Sequence, residues 1–309
     1  MKSERPDIVP RTLNIGLFAG HGSIRRAVIG DQDRPATPDE IRRMRGLVRQ
    51  AMPDGAFGLS TGLFYVPGTY ASTEEVIALA QAAGKLGGIH ISHMRNEAAD
   101  VVRSVAETIR IGEEGGLPTQ VTHHKIIGVG NWGKSRETLA LIDQARARGV
   151  DVTIDQYPYT ASSTSLKAAL VPAGALDLEA AVAERIRNER GGGDPARVVL
   201  SHCAFDPFLD GKTLAAVTSD RGLPPTVENA ARTALDLVRR GDCSAIFHAI
   251  SEDDVERILR SPLTMIASDG EIPSGTGVPH PRSYGTSLAC WESTSARRNC
   301  CRSRGRSGR

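Results

Sequence analysis

Short apolar strands alternate with helical segments along most of this chain, and that rhythm narrows the possible folds more than any other feature. Residues 12–19 read as a strand, followed by a loop through His21 and Gly22. Thr37-Pro-Asp-Glu40 then opens a helix, with Thr37 as cap, Pro38 at the first helical position and Glu40 placed to close a capping box. Residues 57–60 are the next strand. Ser72-Thr-Glu-Glu75 gives a second capping box before an Ala-rich helix that stops near Gly87 and Gly88. Strands at 89–93, 119–124, 150–155 and 264–267, with helices at 101–112 and 136–148, continue the pattern. Such alternation predicts a parallel sheet or barrel. Residues 161–262 are less regular, with a Gly191-Gly-Gly run and one further strand at 198–201, and read as an insertion before the last strand.

Composition removes several classes of function. No run approaches the roughly 18 apolar residues of a membrane span, and the first residues hold no apolar leader-like stretch, so a cytoplasmic location is expected. The net charge of +2 is unevenly spread: residues 288–309 contain six Arg and one Glu, which leaves the rest mildly acidic. Nothing here points to nucleic acid as a partner. Of the five cysteines, Cys290, Cys300 and Cys301 lie in that basic stretch. Cys203 and Cys243 stand alone, with no disulfide framework and no Cys-x-x-Cys metal spacing.

Polar residues gather where strands end, at Ser60 and Thr61, His93, His123 to Lys125, Asp155 and Asp269. In a barrel of parallel strands those ends form the active-site face. A doubly wound sheet would show the same, but no Gly-rich phosphate loop follows the first strand. Histidines at two successive strand ends, His93 and His123, can bring two imidazoles to one metal ion. Neutral imidazole suits zinc, and an aspartate such as Asp269 can take a proton from metal-activated water. Taken singly these signals are weak: a lone strand-end histidine is usually just hydrogen-bonded, and Ser-Asp-Gly commonly makes a turn.

Several longer runs carry a specific resemblance: GLSTGLFYVPGTYASTEEVIALA, HISHMRNE, VTHHK followed by GVGNWGKSRETLALI, DQYPYTASST and TMIASDG. Over about residues 5–284 the chain resembles the N-acyl-D-amino-acid deacylases (D-aminoacylases) of the amidohydrolase superfamily. The resemblance implies an incomplete metal-dependent hydrolase (β/α)8 TIM-like barrel with an insertion before the last strand, spanning residues 1–286. It implies Zn2+ as cofactor, with His93 and His123 as metal ligands and Asp269 as general base and acid. The implied reaction hydrolyses the amide of a small-molecule N-acyl-D-amino acid to a D-amino acid and a carboxylate. Tyr65 and Lys125 match substrate-holding residues, Ser163 matches more weakly, and Arg95 either serves the substrate or pairs with Glu97 or Asp100. His124 is expected to point away from the metal, His21 to fix a loop, and Trp132 to pack a loop. His90, His248 and His280 are read as structural, with His202 a remote candidate.

The chain departs from the family in three places. The family's opening strand with His-x-His and its following cysteine ligand do not occur. Neither does the small β-sandwich built from the family's chain ends. After Thr286 an apolar helix is expected but Arg-, Cys- and Ser-rich sequence follows. One restored base would turn this stretch into Phe-Ala-Arg-Val-Leu-Gly, so residues 287–309 are expected to be an out-of-frame, disordered tail. A cyclic amidase of the dihydroorotase or hydantoinase type is the alternative activity. A non-catalytic remnant, inactive as this polypeptide alone, is the alternative from another class.

Overall fold

The computed structural model of the protein describes residues 15–272 and 275–296. Five parallel strands come first: β1 (Leu17–Gly20), β2 (Ala56–Gly62), β3 (Ile89–His93), β4 (Thr119–Val121) and β5 (Val152–Gln156). The chain then builds β6 (Ser162–Ser165), β7 (Val198–His202) and β8 (Ser244–Phe247), an antiparallel sheet ordered β6-β8-β7. It returns with β9 (Thr264–Ile266), which pairs parallel with β5 and completes the order β1-β2-β3-β4-β5-β9. Among the described residues the fold is therefore α/β, with a six-stranded parallel sheet and a smaller sheet inserted before its last strand. Gly58 lets β2 approach β3 closely, since a Cβ there would lie 1.9 Å from the Ile89 carbonyl oxygen.

Helices α1 (His21–Ile29), α2 (Pro38–Ala51), α3 (Thr73–Gly84), α4 (Val101–Gly115) and α5 (Ser135–Ala147) connect the parallel strands. Their buried faces meet the sheet in two clusters, one around Met44, Leu59, Val76 and Leu79, the other around Val105, Val121, Ile142 and Ile154. The second sheet carries α6 (Leu166–Leu170), α7 (Leu178–Arg185), α8 (Leu214–Asp220) and α9 (Val227–Arg240) around its own core of Leu166, Val198, Leu200, Leu237 and Phe247. Helix α10 (Glu252–Leu259) packs back onto the parallel sheet, and α11 (Arg282–Ala296) follows β9. No helix among the described residues is long and apolar enough to cross a membrane.

The expected elements are present with shifted ends, and four expectations are corrected. His21 starts α1 instead of lying in a loop, because its imidazole meets the buried Glu75 carboxylate at 2.9 Å and Arg25 joins the same carboxylate. That inward turn of Glu75 also leaves the cap of α3 one-sided: Ser72 accepts from the Glu75 backbone N–H, but the Glu75 side chain serves His21 and Arg25. Cys203 and Cys243 form a disulfide, since antiparallel pairing sets His202 opposite Ser244 and brings the two Cα atoms to 4.5 Å across 40 residues of sequence. The expected disordered tail is helical at its start, because α11 runs to Ala296, and residues 297–309 lie outside the described residues. The start of the first expected strand, residues 12–14, also lies outside them.

Edge strands β1 and β9 leave apolar side chains in solvent: Leu17 is 69% exposed, Met265 47% and Ile266 44%. Inside, the His21–Glu75–Arg25 cluster is a buried ionic group whose partners depend on one another. Replacing Glu75 with Ala would strand a buried guanidinium and is expected to cost about 3–5 kcal/mol in urea unfolding. Burial alone would raise the Glu75 carboxyl, but bonds from His21 and Arg25 hold it below its ordinary 4.5. The contribution is thus complete above that value and fades as pH falls through the lower folded value. The stability gap between the wild type and Glu75→Gln should narrow on that acid side, and a gap independent of pH would contradict this account.

Candidate metal centre and active-site cavity

A cavity of about 530 Å³ opens at the carboxyl ends of the parallel strands and is roofed by the second sheet, with Tyr65, His93, Glu97, His123, Lys125, Ser163 and Asp269 in its wall. His93 ends β3, and His123 follows β4 in the left-handed region with φ 41°. Asp155 on β5 holds that unusual turn: its carboxylate accepts the His123 N–H, and its carbonyl accepts the His124 N–H at 2.8 Å. Asp269, just past β9, has φ 49°. Side chains in this region cost about 1–3 kcal/mol and persist where surrounding contacts over-determine them. Of the three non-glycine residues with positive φ among those described, two are in this wall.

The His93 and His123 rings meet edge to face, with centroids 4.4 Å apart. Glu97 completes a group of three, one ligand atom of each lying within 4.8 Å of the others. Its carboxylate is 3.1 Å from His123 Nδ1 and 3.9 Å from His93 Nε2. That His93 nitrogen is buried with no hydrogen-bond partner. Burial pushes the His93 pKa well below its ordinary value, so the imidazole is neutral, the form a metal takes up. Two imidazoles, one of them with an orphaned ring nitrogen, and a carboxylate are a donor set that fits zinc.

The Lys125 ammonium donates to Glu97 Oε1 at 2.5 Å, to His123 Nδ1 at 2.6 Å and to the His123 carbonyl at 2.8 Å. Burial lowers the Lys125 pKa, against the pull of Glu97. Burial would raise the Glu97 carboxyl, but Lys125 and the two histidines hold it well below the usual carboxylate range. Across the cavity Arg282 pairs with Asp269 at 2.7 Å, and its guanidinium lies 5.1 Å from the Tyr157 ring centroid. The Tyr65 ring stands 4.9 Å from His93, and its hydroxyl is 3.3 Å from Thr164 Oγ1. Ser163 lies on β6, where its carbonyl accepts from Arg282 at 3.3 Å.

Arg95 does not line the cavity. Its guanidinium is held by Glu107 at 2.9 Å and by the Thr69 and Ala71 carbonyls, both at 3.0 Å, so the substrate reading and both expected acidic partners are corrected. His124 turns away from the cavity to Thr138 at 2.8 Å. Trp132 donates to the Ala249 carbonyl at 3.2 Å and His90 lies between Thr61 and Thr119. His280 bonds the Ala161 carbonyl at 3.0 Å and also reaches the cavity wall, as does His202. Sequence reasoning missed Glu97, Arg190 and Arg282 as cavity residues. For Glu97 the four-residue spacing after His93 was a usable signal. For the two arginines there was none, because 97 and 189 residues of sequence separate them from His93.

Glu97→Gln is expected to weaken zinc binding about 10–100-fold, as loss of a supporting group at a metal site does. Equilibrium dialysis of the variant against the parent chain measures it, and an equal Kd would remove Glu97 from the metal site.

No protein-family model matches the chain. The D-aminoacylase of Alcaligenes xylosoxydans xylosoxydans is 38% identical over 278 residues, 90% of this chain and 51% of its own length. The N-acyl-D-glutamate deacylase of the same organism is 35% identical over 286 residues, 93% of this chain and 51% of its own. Among solved structures, N-acyl-D-glutamate deacylase from Bordetella bronchiseptica, complexed with zinc and a phosphonate mimic of the tetrahedral intermediate, superposes with TM-score 0.73 at 36% identity. It covers 89% of this chain and 51% of the other. A crystal structure of D-aminoacylase, described as defining a novel subset of amidohydrolases, gives TM-score 0.74 at 37% identity over 90% of this chain and 52% of its own. The chain thus spans about half the length of the curated relatives it matches.

Proposed function

Over nine tenths of its length the chain belongs to the D-aminoacylase family of amidohydrolases, and from that premise we propose that its cavity is the active site of a zinc-dependent N-acyl-D-amino-acid deacylase. The observation that carries this reading is the meeting of His93, Glu97 and His123 with Asp269 in one strand-end cavity. In this reading the parallel sheet is part of a (β/α)8 barrel, and the second sheet is an insertion that roofs the site.

His93 and His123 would hold the zinc, with Glu97 beside them. When bound, zinc supplies Lewis acidity toward the scissile carbonyl and the attacking water. Asp269 accepts the proton of that water and returns it to the nitrogen of the leaving D-amino acid. Arg282 fixes the Asp269 carboxylate through their ion pair. Lys125, exchanging one of its three present bonds, and Tyr65, with Ser163 beside them, would grip the substrate carboxylate and orient the amide. The products are a free D-amino acid and a carboxylate.

The test is binding and turnover on the zinc-loaded chain. N-acetyl-D-amino acids should bind by calorimetry and their L counterparts should not, and zinc removal should abolish binding. Equal affinity for both hands, or none for either, would overturn the reading. Asp269→Asn should cut acetate release at least about a hundredfold while the D-substrate still binds. The reading keeps the chain in the cytoplasm. Reducing conditions there disfavour the Cys203–Cys243 disulfide of the structure, so in the cell both should be thiols that alkylate in fresh lysate without added reductant once the chain is unfolded. Protection of both until reductant is added would move the protein to an oxidising compartment.

A further inference from the structure

Helix α7 continues into a single π-helical turn, Ile186–Arg190, before the chain turns at Gly192 and Gly193, both with positive φ. Wide turns of this kind are rare and recur at functional sites. This one delivers Arg190 to the cavity wall, where the residue is only 4% exposed. Its guanidinium carbon lies 5.3 Å from the Phe64 ring centroid and 5.8 Å from that of Phe247. The Phe64 ring in turn stands 5.6 Å from the His93 ring, so one aromatic side chain links the guanidinium to the metal-site histidine.

Arg190 differs from its neighbours in its pairing. Lys125 is matched by Glu97 and Arg282 by Asp269, and Arg185 donates to the Ala169 carbonyl at 2.9 Å. Among the described residues Arg190 has no ion-pair partner, and its Nε is buried without a hydrogen-bond acceptor. An always-charged group desolvated without an anion is costly, and aromatic faces offset only a part of that cost. A planar fork of donors in this state suits a carboxylate, which it can bind through two parallel bonds.

Resting on the deacylase reading above, we propose that Arg190 is a specificity residue that binds a second carboxylate, on the side chain of an acidic N-acyl-D-amino acid. In that reading Lys125 and Tyr65 take the main-chain carboxylate, which leaves Arg190, stacked on Phe64, for a second one. The aromatic wall excludes water from the Arg190 contact and strengthens it.

Titration calorimetry on the zinc-loaded chain compares N-acetyl-D-glutamate with its neutral near-isostere N-acetyl-D-glutamine. The acid should bind at least about tenfold more tightly, as expected for one charge-assisted pair. In Arg190→Gln the ratio should fall to about one, and Arg190→Lys, which keeps the charge without the fork, should restore part of it. Thermal melts show whether each variant folds, and the wild-type ratio stands as a test by itself if one does not. Equal binding of acid and amide by the wild type, or an unchanged ratio in Arg190→Gln, overturns the proposal and leaves the deacylase reading intact. A larger gain for N-succinyl-D-alanine than for N-acetyl-D-glutamate overturns the assignment to the side chain. Failure of every N-acetyl-D-amino acid to bind overturns both readings together.

Discussion

A nearly fully buried carboxylate holds the cavity wall together. Glu97 is 4% exposed and touches the Lys125 ammonium while lying against both histidine rings. Without it a buried ammonium would face two imidazoles with no counter-charge, and burying such a charge unpaired is among the costliest defects a core can carry. With it the ammonium, carboxylate and imidazoles form a group that is closely balanced before any metal arrives. Charge balance therefore ties β3, which carries His93 and leads to Glu97, to the turn after β4 that carries His123 and Lys125. The register of these two strands, with Ser92 opposite Val121, is what brings the groups into range.

Backbone geometry does the rest. His123 is held in the left-handed region by Asp155, whose place on β5 makes a third strand part of the same arrangement. Burial raises the Asp155 pKa, against bonds from the His123 backbone. Asp269, also left-handed, comes from beyond β9, the neighbour of β5. Four consecutive strands thus contribute one element each to a single wall. The second sheet supplies the other wall through Ser163, and the π-turn beside it brings in Arg190.

Much of this was legible in the residues and some was not. Strand–helix alternation located every parallel strand, because apolar runs with polar ends mark buried strands whatever they pair with. The strand-end rule also collected His93, His123, Lys125 and Asp269, and the family motif added Tyr65 and Ser163. Most of the failures share one cause, a partner on another element of the fold; Glu97, four residues after His93, is an exception. Arg95 reads as a substrate group or a partner of Glu97 or Asp100 until Glu107, on the next helix, is seen to hold it. Cys203 and Cys243 read as single until antiparallel pairing brings them together. His21 reads as a loop residue because Glu75 is 54 positions away. Arg190 sits inside a segment with little periodicity, and a π-turn leaves no mark in apolar spacing.

The two outer strands carry a further consequence. Both present backbone donors and acceptors beside apolar side chains, Leu17 at one end of the sheet and Met265 with Ile266 at the other. Where a parallel sheet ends in unpaired margins, as β1 and β9 do among the described residues, it can act as a template for a further strand of matching direction, from a complementary polypeptide or from another copy of the same chain. Which of these wins is a question of concentration rather than chemistry, because the backbone groups on offer are the same. Association would thus start at the rim of the sheet, which at its β9 end lies three residues from Asp269.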